Sequence, residues 1–203
     1  MLNAHRAAGF TLIELLIGLA VLGIVLMIGL PSLATWLQNT QIRNATEQMQ
    51  SGLQLARAEA LRRNSSVRFQ LVNNLTATCA LSAAGTDWVV SLANPSAACN
   101  VAPSDTTAPQ IVQKKAGSEG APNVAVAATG GTSVVFNGLG RMIGAGITQI
   151  DFTNPNGGAC QTAAGPMRCL RIQVTTGGQV RSCDPVVAVN TDPRCCTGLV
   201  AGC

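Results

Sequence analysis

From Phe10 to Leu37 the chain is almost wholly apolar, and Glu14 is the only charged residue in that stretch. About 20 apolar residues in a helix span the ~30 Å hydrocarbon core of a bilayer, so residues 10–30 suffice for one crossing. The segment before it, Met1 to Gly9, is short and polar and carries Arg6 and the only histidine, His5. A secretory signal puts its apolar region ahead of the cleavage site. Here the order is reversed. Cutting after the small residue Gly9 leaves the apolar helix on the mature chain, with Phe10 as the new N-terminus. Glu14 is then the anomaly, because a carboxylate in lipid costs at least ~2.5 kcal/mol and is usually paired or functional. The α-amino group exposed at Phe10, on a neighbouring subunit in an assembly, is the cationic partner the sequence offers.

The helical pattern continues past the membrane stretch. Apolar or small residues recur at Ile42, Ala45, Met49, Gly52 or Leu53, Ala56 and Ala60, a three-or-four spacing that marks one buried stripe. Gln38, Gln41, Arg43, Glu47, Gln50, Gln54 and Arg57 fill the other faces. The pattern predicts one helix from about Phe10 to about Arg63, near 80 Å long at about 1.5 Å per residue. Its first half is lipid-soluble all round, and its amphipathic second half packs on its own chain. Asn64-Ser65-Ser66 ends it, with Arg62 and Arg63 favourably placed in the last turn.

Beyond Ser66 the period falls to two. Val67-Arg68-Phe69-Gln70-Leu71 alternates cleanly, and Asn73-Asn74 before Thr76 to Ala80 predicts a hairpin. Further strands are expected over 88–92, 110–114, 123–127, 133–137, 148–153, 169–175 and 180–183, with Gly, Pro, Ser and Asn clusters between them. The segment 82–120 is rich in Ala, Ser, Thr, Gly and Pro; it reads as a long loop holding two strands, because Trp88-Val89-Val90 needs a core to enter. Lys114-Lys115 read as a solvated sheet edge. Short strands following one long helix predict an α+β fold with antiparallel sheet. The expected organisation is a leader over 1–9, a transmembrane and assembly helix over 10–37, the amphipathic half of that helix over 38–64, and a β domain over 65–203.

Eight cysteines, Cys79, Cys99, Cys160, Cys169, Cys183, Cys195, Cys196 and Cys203, all follow the membrane stretch. On the non-cytoplasmic side they are expected to form disulfides, which supplement a core built on Val, Ile and Leu with four Phe, two Trp and no Tyr. Closeness pairs Cys160 with Cys169; the other pairings stay open. Zinc is disfavoured, since Cys-x-x-Cys is absent and His5 leaves with the leader. The same loss disfavours Ser-His-Asp and Cys-His catalysis. Gly130-Gly131, Gly157-Gly158 and Gly177-Gly178 suit turns better than phosphate cradles. No enzyme activity, cofactor or metal is expected.

Gly9-Phe10-Thr11-Leu12-Ile13-Glu14-Leu15-Leu16, with Pro31 further on, resembles the class III signal of type IV pilins and type II secretion pseudopilins. That resemblance implies cleavage by a prepilin peptidase between Gly9 and Phe10, N-methylation of Phe10, and a Glu14 that neutralises a neighbour's N-terminus in a filament. It also makes Gly23 and Pro31 the positions between which the helix can lose its hydrogen bonding on assembly, consistent with the backbone donor that Pro lacks. Leu55 to Asn64, with Ala56-Arg57-Ala58-Glu59-Ala60, is similar to the long-helix end of the GspH/FimT family. So are Val134 to Arg141 and the hairpin from Cys169 to Cys183. The implied fold is the pilin fold, and the implied role is a minor pilin of a type IV pilus, acting in assembly and priming. A type II secretion pseudopilin is the alternative. Its implied partners are other pilin or pseudopilin subunits, the prepilin peptidase and the bacterial inner membrane, with the β domain in the periplasm and later on a surface filament.

DNA binding for natural transformation is the third reading. Some FimT-like minor pilins resemble DNA receptors with Gly-Arg-x-Arg in the last hairpin, where this chain has Gly178-Gln179-Val180-Arg181 and so keeps only the second Arg. Arg168, Arg171, Arg181 and Arg194 are the residues that would have to gather on one face to contact phosphates. The net charge of +4, one less once Arg6 leaves with the leader, is too mild to argue for nucleic acid by itself.

Overall fold

The computed structural model describes residues 10–189 and 191–196; the leader over 1–9 and Cys203 lie outside the described residues. Helix α1 spans Leu12–Arg63, 52 residues without interruption, about 78 Å at 1.5 Å per residue. It passes through Pro31 as helix, and it ends where Asn64 turns left-handed (φ 47°) and donates its N–H to the Ala60 and Leu61 carbonyls. The expected stripe is the buried one: Ile42, Met49, Leu53, Ala56 and Ala60 are all within the core.

Eight strands follow among the described residues, β1 Val67–Val72, β2 Asp87–Ser91, β3 Ile111–Lys115, β4 Ala125–Thr129, β5 Ser133–Phe136, β6 Gln149–Thr153, β7 Leu170–Val174 and β8 Val180–Cys183. They form two four-stranded sheets rather than one continuous sheet, in the orders β3-β2-β1-β5 and β4-β6-β7-β8, with every pairing antiparallel. Both sheets lie against the amphipathic half of α1. Phe69, Leu71, Trp88 and Val90 from the first sheet and Ile150, Phe152, Ile172 and Val174 from the second share one core with the helix stripe. Trp88 and Phe69 lie with ring centroids 5.7 Å apart, and a Cβ on Gly52 would already crowd both rings at 3.0 Å. A side chain at position 52 would therefore have to push the Trp88 and Phe69 rings back by a few tenths of an ångström in a close-packed core.

The first sheet is buried on both faces. Val72, Val89 and Ile111 point away from the helix into a second cluster with Cys79 and Cys99, which are disulfide-bonded. Contrary to the expected hairpin, 76–80 forms no strand. Asn73 Oδ1 accepts the Ala80 N–H at 2.8 Å and Asn74 Oδ1 accepts the Thr76 N–H at 3.0 Å, so side chains satisfy the backbone that a ladder would have used. A single bridge, Val72 with Leu81, is what remains of the expected hairpin. The two loops that flank β2, 73–86 and 92–104, fold as a lid over this face of the sheet. Lys114-Lys115 do lie on edge strand β3, but Lys114 is not a solvated charge: its Nζ donates to the Cys99 and Val101 carbonyls at 2.7 and 3.0 Å and ties the lid down.

Cys160 pairs with Cys169, as closeness suggested, and Cys183 with Cys196. Among the described residues no cysteine is free.

Candidate functional site

The N-terminal end of the described chain is built on the first turn of α1. Thr11 is its N-cap, and the Glu14 carboxylate turns back to accept the Thr11 N–H and hydroxyl, each at 2.9 Å, while the Glu14 N–H donates to Thr11 Oγ1 at 3.3 Å. This reciprocal capping box satisfies donors that a helix start otherwise leaves unpaired. The pattern Thr11-Leu12-Ile13-Glu14 carries this signal, so Glu14 has a partner in Thr11 besides the α-amino group expected at Phe10. Within one chain the carboxylate is already turned back to Thr11, beside Phe10, in the favourable field of the helix N-terminus.

From Phe10, 92% exposed, through Met27, the apolar side chains of this half are uncovered by the rest of the chain. Its mean hydropathy reaches 2.7 over 18 residues, which meets the composition and length of a membrane span. Around Gly18 and Gly23 nothing approaches the position of a Cβ, so neither glycine is explained by packing inside the subunit.

At Leu37 the surface changes character, and helix amides begin to hold loops. The Asn154 side-chain amide donates to the Gln38 side chain, the Arg168 N–H donates to Asn39 Oδ1 at 2.7 Å, and Gln48 Nε2 donates to the Glu119 carbonyl at 3.1 Å. Between Asn39, Arg43, Thr46 and Glu47 of the helix and the β7–β8 hairpin lies an open cleft of about 440 Å³, into which Arg168 and Arg194 also face.

The four arginines are not gathered as one free basic face. Arg171 Nε meets Asp151 Oδ1 at 2.6 Å across the β6–β7 register. Arg168 Nε meets Asp184 Oδ2 at 2.6 Å, and Asp184 is buried with its side chain 3% exposed. Arg194 and Asp192 pair at 2.7 Å, and this guanidinium holds the Asp192 carboxyl at about 2, below the usual carboxylate range. Arg181 donates to the main-chain carbonyls of Cys195 and Pro193, clamping the last segment over β8. Arg168 and Arg194 do share the cleft; Arg171 lines a different depression with Asp151, Thr153 and Pro185. At the far end of α1, Glu59 bridges Arg62 and Arg63, and the hydrogen bonds from these two guanidinium groups lower its pKa to about 2.

A long helix with an uncovered apolar half and an acidic residue in its first turn, joined to a disulfide-stapled antiparallel β domain, defines a pilin-type subunit. Residues 45–178 match the family model of type II transport protein GspH, more than half of the 203 residues, and the chain belongs to that family. Residues 4–30 match the prokaryotic N-terminal methylation motif. No curated protein matches the chain. Two crystal forms of the Pseudomonas aeruginosa (strain PAO1) type IV minor pilin FimU are similar to it. The form in space group P65 is 11% identical over 69% of this chain and 90% of that one, with a TM-score of 0.43. The form in P21 is 10% identical over 69% and 86%, with a TM-score of 0.40.

Proposed function

We propose that this chain is a minor pilin, a structural subunit that helps to prime and assemble a type IV pilus rather than a catalyst. One observation carries the proposal: among the described residues nothing covers the apolar half of α1, yet it continues as one uninterrupted helix into the folded domain. Such a surface has two favourable surroundings, lipid and a bundle of similar helices, because water is excluded from both. A subunit is stored in the inner membrane in the first and polymerised in the second. Cleavage between Gly9 and Phe10 by the prepilin peptidase, with N-methylation of Phe10, produces the amine that Glu14 of an adjoining subunit accepts. Glu14 thereby sets the register, the helix between Gly23 and Pro31 adapts on assembly, and the β domain passes from the periplasm to the filament surface.

A pseudopilin of type II secretion is the second reading, supported by the description of the matched family. A deletion strain separates the two: loss of sheared surface pili, restored by complementation, supports the pilus, whereas normal pili with a blocked secretion substrate supports the pseudopilus. DNA binding draws no support from the arginines, three of which are matched by aspartates and the fourth by carbonyls.

A further inference from the structure

The cleft between α1 and the β7–β8 hairpin lies at a height fixed by the helix. The apolar surface ends at Leu37, and Trp36 beside it is 61% exposed, an aromatic placed where tryptophans anchor a membrane–water interface. Glu14 is 22 residues below Trp36, about 33 Å along the axis, so the stretch between them matches the ~30 Å hydrocarbon core. Above Leu37 the headgroup layer is about 5–8 Å deep. Asn39 rises about 3 Å over Leu37 and Arg43 about 9 Å. Helix side chains slant toward the N-terminus, which directs the Arg43 side chain back toward the membrane.

The loop carrying Arg168 is held at that level. Its N–H is bonded to Asn39 at 2.7 Å, and Asn154 is bonded to Gln38, so the underside of the β domain is fixed at the level of the helix where the apolar surface ends. Arg43 is exposed and forms no ion pair among the described residues. Arg168 already compensates the buried Asp184, yet 43% of its side chain stays exposed. The remaining acid of the cleft, Glu47, lies about one turn farther from the membrane than Arg43. The lower mouth is therefore cationic, and guanidinium groups favour phosphate oxygens through paired N–H donors.

We propose that this cleft seats the phosphodiester headgroup of an anionic membrane lipid, with Arg43 and Arg168 as its ligands, while the subunit is stored in the bilayer. This rests on the membrane-anchored reading above. A lipid is the source rather than free phosphate because the mouth stands in the headgroup layer, where phosphodiesters are concentrated. Seated there, the headgroup would fix the tilt of the β domain over the bilayer and would have to be released when the subunit enters a filament.

The full chain is reconstituted in nanodiscs of phosphatidylethanolamine and phosphatidylglycerol, extracted in mild detergent, and its retained lipids are counted by native mass spectrometry. Preferential retention of phosphatidylglycerol is expected, about tenfold weaker in Arg43→Gln and restored in Arg43→Lys, on the scale of one charge-assisted contact. Equal retention of both lipids, or retention unaffected by Arg43→Gln, would overturn the proposal while leaving the anchor intact. Displacement of the lipid by millimolar inorganic phosphate would overturn the choice of a lipid as the ligand. Failure to enter nanodiscs at all would overturn the anchor itself and the proposal with it.

Discussion

Asn39 Oδ1 accepts the backbone N–H of Arg168 at 2.7 Å, joining positions 129 residues apart at the base of the β domain. The same amide donates to the Thr35 carbonyl at 3.1 Å, so both its ends are used. Asn39→Ala removes the acceptor and leaves the Arg168 N–H unpaired in a half-buried place, at a cost of about 1–3 kcal/mol. Urea unfolding of the full chain in micelles should show a lower midpoint with an unchanged slope. An unchanged midpoint would mean that this tie adds nothing to the docking of the loop.

Gly178 has φ +79°, and a Cβ there would fall on the Gly140 carbonyl oxygen, the group that also accepts from Arg57 Nε at 3.0 Å. Gly178→Ala thus combines left-handed strain with a backbone clash, and is expected to cost about 2 kcal/mol or more. Gly144 is the control: its φ is +71°, but its Cβ position is open, so Gly144→Ala should cost only about 1 kcal/mol. Equal thermal shifts for the two would contradict the predicted clash.

Glu59 supplies a pH dependence. Hydrogen bonds from Arg62 and then Arg63 lower its pKa from 4.5 to about 2 in the folded chain. A depressed carboxyl stabilises the fold above its unfolded value and loses that contribution as pH falls, here between about 4.5 and about 2. Asp192, lowered from 3.8 to about 2 by Arg194, contributes in an overlapping window. Glu59→Gln should cost on the order of 1 kcal/mol near neutral pH and flatten the acid limb of the stability curve. An acid limb identical to that of the unaltered chain would assign the effect to other groups.

Much of this architecture is legible in the residues. The stripe from Ile42 to Ala60 and the Asn64 stop announce a helix, and the alternation at Val67 to Leu71 announces a strand, because each is set by nearest neighbours along one element. Partnership is not local. The Arg171–Asp151 pair exists because β6 and β7 meet in a particular register, and the alternation in either strand says only that both side chains point outward. The division into two sheets was hidden for the same reason. Residues 76–80 misled because Asn73 and Asn74 turn the chain with their side chains, while Cys79 is drawn to Cys99.

Arg181 is expected to act as a clamp and not as a phosphate ligand. Its donors reach the Pro193 and Cys195 carbonyls, so Arg181→Ala should loosen the segment after Cys183 and raise its amide exchange. The full chain should not retard duplex DNA at ~50 mM salt, where phosphate contacts are strong. A retardation abolished by Arg181→Ala without faster exchange would restore the DNA reading.

The central claim is that Glu14, preset by Thr11 at the start of an uncovered helix, guides incorporation into a filament. The most direct measurement is the amount of subunit in sheared filaments, against that in the membrane fraction, when Glu14→Ala replaces the native residue. The Glu14→Ala chain is expected to be still processed and still in the membrane but strongly depleted from filaments. Undiminished co-purification of Glu14→Ala with the filament would contradict it.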